Sequence, residues 1–194
     1  MAYVTPGTVA AGDVATAAAW NVLTNDVIDH ETRIIQGANL ISHTPLVAAS
    51  TLSFTNVFSS TYANYRVVYN YLPTAAGGTT LRFRDSGGQV STALYAYALQ
   101  TIDSALGTSA NSFGRTQTSI PLPTGTIQLS AAIDIIGPNL ATATTLLFNY
   151  TNAVANATTG AGAYNANTVF TGFDIIPASG NATGSVSIYG YRIV

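Results

Sequence analysis

The chain is 194 residues long and 47% hydrophobic, enough to bury a core, yet only 7% of it is charged, against about 25% in ordinary soluble domains. All six basic residues are arginine and the formal net charge is −2, so there is no lysine patch for phosphates, and neither nucleic acid nor an anionic membrane is indicated as a partner. The absence of cysteine removes disulfides, thiol catalysis and thiolate metal sites together.

Residues 1–15 (MAYVTPGTVAAGDVA) hold Pro6, Gly7 and Gly12 and read as an extended arm. Met1–Pro6 has neither the basic nor the apolar stretch of a secretory signal, so synthesis in a cytoplasm is expected. No apolar run approaches the ~18 residues that would span a bilayer, so no membrane insertion is expected.

Thr16–Gln36 (TAAAWNVLTNDVIDHETRIIQ) predicts one amphipathic helix, with Thr16 as N-cap and Gly37 as the C′ residue. Trp20, Leu23, Val27, His30 and Ile34 recur at alternating spacings of 3 and 4, a heptad seam that Gly37 and Ile41 continue. A helix packed on its own sheet needs a similar stripe. The favoured expectation is association between chains, with residues 1–44 as arm plus trimerising helix and residues 45–194 as a separate β-domain.

Residues 42–53 read as a linker and the entry to the sheet. Nine strands are then predicted, at 52–58, 62–72, 79–85, 90–99, 113–120, 126–136, 144–152, 168–176 and 185–193, separated by Gly-, Pro- and Asn-rich turns. Alternation places Tyr65, Val67, Tyr69 and Tyr71 on one strand face, and sets Leu81 and Phe83 against Arg82 and Arg84. The fold class expected is mainly β, an antiparallel β-sandwich of jelly-roll type behind the arm and helix.

Residues 45–194 contain no His, Glu, Lys or Cys; their charges are five Arg and four Asp. A Ser-His-Asp arrangement therefore has no base within this part. Two carboxylates for glycoside cleavage would have to come from Asp85, Asp103, Asp134 and Asp174. The first and second flank turns, and the third and fourth sit in apolar strands, where pairing with arginine is the expected role. No catalytic residue is assigned. His30 and His43 have no metal-ligand spacing within one chain. In a trimer, three copies of His30 would meet on the axis as a polar layer or around an ion. No metal and no cofactor are expected.

Ten of the eleven tyrosines fall after residue 45. Tyr95 with Tyr97, and Tyr189 with Tyr191, each share a strand face and form the candidate ligand or partner surface, since a phenol can stack and hydrogen-bond at once. Tyrosine is also simply favoured in strands.

The segment YVTPGTVAAGDVATAAAWNVLTNDVIDH, with Gly12, Thr16, Ala17, Ala18, Trp20 and Asn21, resembles the N-terminus of small tailed-bacteriophage virion proteins of minor-tail or tail-fibre type. The β-part is similar in style to their trimeric head domains, in Phe54, Tyr62–Val67, Leu81–Arg84 and Ser187–Arg192. The resemblance implies a homotrimer located in the virion. The arm would dock on other virion proteins, and the β-domain would contact a host-surface glycan or protein. A capsid decoration protein of the same architecture is the alternative. An enzyme is the least favoured class.

Overall fold

The protein is described from a computed structural model that covers residues 37–192 apart from 76, 105, 123–127 and 153–155. The predicted arm and helix, and with them Trp20, Leu23, Val27, His30 and Ile34, lie outside the described residues.

The described part is all β. Its strands are β1 (Ala38–Ala49), β2 (Leu52–Phe54), β3 (Tyr62–Pro73), β4 (Thr79–Asp85), β5 (Gly88–Gln89), β6 (Tyr95–Asp103) and β7 (Thr108–Gln117), followed by β8 (Ile120–Leu122), β9 (Leu129–Ile136), β10 (Thr144–Asn152), β11 (Ala157–Tyr164), β12 (Gly172–Pro177) and β13 (Ala182–Arg192). An eight-stranded sheet runs in the order β1-β13-β3-β9-β10-β11-β6-β7, and a five-stranded sheet holds β2-β12-β4-β5 with β8 beside β4. Every pairing in both sheets is antiparallel. The fold is an antiparallel β-sandwich.

Period-two patterning produces it. On β3, Tyr65, Val67, Tyr69 and Tyr71 are buried while Arg66, Val68, Asn70 and Leu72 are exposed. On β9, Leu129, Ala131, Ile133 and Ile135 point inward in the same rhythm. Leu81 and Phe83 of β4 answer from the five-stranded sheet, with Phe173 and Ile175 of β12 beside them. The layers are stitched by rings and hydroxyls. Phe83 stacks on Tyr95 with centroids 6.1 Å apart and on Phe170 at 4.5 Å, while the hydroxyls of Tyr71 and Thr79 meet at 2.6 Å.

The sandwich begins earlier than its sequence predicts. Residues 42–49 are not a linker but part of β1, which pairs with β13 from Ala38↔Tyr191 onward. The boundary at 44/45 therefore moves to 37/38, where the compact unit Ala38–Val194 starts. Pro45 disguised the strand. It is tolerated because, among the described residues, β1 is an edge strand with no further ladder to donate to. Ile41, expected to extend the helical seam, packs partly buried against the sandwich core instead.

Strand β11 was also absent from the prediction. Apart from the buried Tyr164, its sequence ATTGAGAY offers only small inward residues because its neighbours occupy that space. A Cβ on Gly160 would lie 2.8 Å from a Phe148 ring carbon, and one on Gly162 would lie 2.6 Å from Ile120 Cδ1. The predicted strand at 113–120 is in fact two, β7 and β8, which belong to different sheets.

Candidate functional site

The charged side chains come first, because chemistry would start there. Asp174 on β12 is completely buried. Its carboxylate accepts from Arg84 Nη1 at 3.0 and 2.9 Å and from Gln89 Nε2 at 2.7 Å. Gln89 in turn accepts from Arg82 Nη1 at 2.8 Å, and Arg82 Nε donates to the Thr118 carbonyl at 3.1 Å. This chain of contacts fastens β4 to β5 and β12 and leads into the β7–β8 turn. Asp134 sits 3.6 Å from Arg66 Nε on the open side of the eight-stranded sheet, both side chains over 40% exposed. Arg66 is held above its usual pKa, first by a hydrogen bond with Tyr191 and then by the Asp134 charge. Asp85 Oδ1 accepts from Gly87 N at 2.8 Å, and Asp103 Oδ1 from Leu106 N at 3.2 Å, so both support turns. The expectation of Asp–Arg pairs within the strands holds for Asp134 and Asp174 alike.

His43 lies on β1, its Nδ1 2.9 Å from Ser187 Oγ. Among the described residues no group of three or more His, Cys, Asp or Glu could hold a metal ion.

The four proposed surface tyrosines separate into two pairs. Tyr95 is removed from the surface: it is fully buried, accepts from Phe83 N at 2.9 Å and donates to the Val90 carbonyl at 3.0 Å. Burial, against a smaller opposing effect of the Phe83 hydrogen bond, pushes its phenol pKa well up. Tyr97, two residues on, faces the same side and packs partly buried against the core. Its ring lies over Gly114, where an added Cβ would come within 2.6 Å of it. Both therefore serve the sandwich interior. Tyr189 and Tyr191 stand on the opposite, outer side of the sheet, half-buried, with Tyr189 opposite Arg66 and Tyr191 opposite Asn64.

That outer side is the face of the eight-stranded sheet turned away from the core. One row of cross-strand neighbours traverses all eight strands: Leu40, Tyr189, Arg66, Asp134, Leu147, Ala161, Ala98 and Phe113. It changes character halfway. From β13 to β9 it is aromatic and charged, held by the Arg66–Asp134–Tyr191 cluster. From β10 to β7 it is apolar or small, ending in Phe113 at 81% exposure. Two shallow depressions open on the sheet, one of about 410 Å³ over Ala96, Ala98, Ala161 and Ala163 beside Phe113 and Arg115, the other of about 550 Å³ around Val68, Ala132, Asn149 and Thr151. Leu147 at 52% and Val68 at 41% exposed add apolar area of the kind that marks contact surfaces when contiguous.

Sequence patterning named Tyr189 and Tyr191 but missed the alanine half of the row. The available signal was alternation of small residues in Ala96/Ala98 and Ala161/Ala163, which is weak because an alanine by itself does not distinguish an outer face from a filled inner one.

The described residues thus define a β-sandwich module in which each described aspartate supports a turn or pairs with an arginine, and whose outer sheet face is charged at one half and apolar at the other. No family model matches the chain, and no similar sequence was found among curated proteins. Among solved structures it is similar to a tetrameric galectin from the ball sponge Cinachyrella sp., at 13% identity, TM-score 0.35, covering 73% of this chain and 99% of that one. It is also similar to galectin LEC-6 of Caenorhabditis elegans, at 9% identity, TM-score 0.33, covering 76% and 95%. The chicken-liver agglutinin CG-16 follows at 10% identity and TM-score 0.30, covering 71% and 98%. Likeness at this level carries no argument about ligand or lineage.

Proposed function

We propose that the chain is a non-enzymatic structural protein of a bacteriophage virion, of tail-fibre or minor-tail type, homotrimeric through Trp20, Leu23, Val27, His30 and Ile34. In this reading its jelly-roll-like sandwich is displayed to meet a host-surface glycan or protein, and the N-terminal arm docks on other virion proteins. The single observation that carries the contact role is the outer face of the eight-stranded sheet. It is wide and furnished with Tyr189, Tyr191, Leu147 and Phe113 around the solvated Arg66–Asp134 pair, while each described aspartate supports a turn or pairs with an arginine. Supporting the virion assignment is the resemblance of residues 3–30 to phage tail proteins, together with a composition that leaves 7% charge over the whole chain. So low a charge suits a protein whose surface is covered in an assembly.

The test is location and binding together. Antibody-gold labelling of intact particles should mark the tail, and purified full-length protein should compete with particles for adsorption to host cells. Labelling of the capsid shell without competition would assign the decoration role instead. No labelling of particles at all would end the virion reading.

A further inference from the structure

We propose that the free edge of β7 pairs with β7 of a second copy of this chain, antiparallel and about a twofold axis at Asn111. The eight-stranded sheet has two edges, and they are built differently. β1 carries Pro45, which offers no N–H to a further strand, and its ladder with β13 is broken at Leu40/Ser42 and Leu46/Ala49. Proline and bulges are devices by which sheet edges avoid pairing. β7 has no proline, and over Thr108–Gly114 it has no charge either. Its ladder with β6 is unbroken from Asp103↔Thr108 to Tyr97↔Gly114, and the strand is exposed along almost its whole length. Among the described residues β7 pairs with β6 alone. In such an edge strand alternate residues direct their N–H and C=O outward, a ready template for strand addition.

The strand's own chemistry selects the occupant. Regular geometry ends at Arg115–Gln117, where Thr116 takes a φ of 55° and the register with β6 shifts. A symmetric pair using the whole regular stretch, Thr108–Gly114, must centre on Asn111. Asn111 then faces Asn111 of the second copy, Phe113 faces Ser109, and Gly114 faces Thr108. Arg115, the one charge in β7, falls beyond this ladder, so no like charges meet across it. A second copy therefore fits without mismatch, and it covers Phe113, among the most exposed apolar side chains of the sandwich. The outer row that ends at Phe113 would continue across the axis into the other copy. The pairing stands independently of the virion reading, since it involves only the sandwich edge.

Because the chain has no cysteine, single substitutions in the full-length protein give clean crosslinks. Under mild oxidation Asn111→Cys should form disulfide dimers at least about tenfold faster than Val47→Cys, an exposed position on the β1 edge. Ser109→Cys and Phe113→Cys should crosslink to each other when the two proteins are mixed, faster than either does with itself. In sedimentation, Phe113→Glu should give particles of half the wild-type mass at concentrations where the wild type pairs. Equal crosslinking at positions 111 and 47, Phe113→Cys joining itself as fast as it joins Ser109→Cys, or an unchanged particle mass for Phe113→Glu would each overturn the proposal.

Discussion

On the inner side of β3, Tyr65, Val67, Tyr69 and Tyr71 are buried in the core shared with the five-stranded sheet, whereas one residue along Arg66, Val68, Asn70 and Leu72 face outward and remain exposed. The same strand thus serves two environments, and the difference between them is one of consequence. Inside, every polar atom must find a partner or destabilise the fold. Outside, water satisfies whatever the protein does not, so side chains are free to be chosen for contact. The aspartates divide along the same line. Asp174 is buried and accepts three hydrogen bonds from two donor groups, Arg84 Nη1 and Gln89 Nε2, while Asp134 on the outer face shares one long contact with Arg66.

Alkali offers the largest test of the inner side. The phenols of Tyr65, Tyr69, Tyr71, Tyr95 and Tyr150 are all held above their ordinary pKa, in each case chiefly by burial. Because the folded-state values are raised, their contribution to stability is complete below the unfolded value of about 10 and is lost as pH rises above it. Each unit of elevation corresponds to about 1.4 kcal/mol once the unfolded phenol has ionised. A pH series of denaturant unfolding should therefore show stability falling steeply from about pH 10 upward. Phenolate absorbance from these five should appear together with loss of β circular dichroism. Their titration in a still-folded protein at ordinary pKa would mean that they are not sealed.

Asp174→Ala comes next. It leaves Arg84 beside a cavity, its charge unpaired and three-quarters removed from water, and losing one partner of a buried pair typically costs about 3–5 kcal/mol. The outer counterpart, Asp134→Ala, should cost no more than about 1 kcal/mol because that pair is solvated. Chemical denaturation of the two variants side by side checks the contrast. Equal losses would mean that the two environments are not distinct.

Two tyrosines refine the rule from within. Tyr95→Phe removes both the acceptor for Phe83 N–H and the donor to the Val90 carbonyl, so a loss of about 1–3 kcal/mol is expected. The Tyr69 hydroxyl, equally buried, has no hydrogen-bond partner among the described residues. Tyr69→Phe should therefore leave stability unchanged or raise it by up to about 1 kcal/mol. A loss for Tyr69→Phe as large as that for Tyr95→Phe would reveal a partner, such as a buried water.

Much of the sandwich was legible in its sequence because strong alternation survives wherever one side of a strand is buried in large side chains. β3, β4 and β10 were bounded to within a residue on that basis. The failures share a cause. β1 carries Pro45 and two bulges at the sheet edge, and β11 places glycines where Phe148 and Ile120 fill the space. In both, the information that makes a strand lies in a neighbour and not in the segment. The candidate surface was half legible for the same reason: Tyr189 and Tyr191 declare themselves, but no local pattern distinguished buried Tyr95 from an exposed tyrosine. Its acceptance of Phe83 N–H comes from another strand.

The smallest expected effect gives the finest reading of the two sides, because it compares consecutive residues of one type on β10. Leu146 is 1% exposed and Leu147 is 52% exposed. Leu146→Ala removes buried methyl groups and leaves a cavity beneath the five-stranded sheet, so a loss of about 2–5 kcal/mol is expected. Leu147→Ala removes the same atoms from the middle of the outer row, between Asp134 and Ala161, where a change within about 0.5 kcal/mol is expected. If full-length Leu147→Ala instead unfolds at markedly lower temperature in a concentration-dependent way, the outer face is already covered by another copy. Leu147 would then act as a core residue of an assembly, with its stabilisation drawn from a second chain.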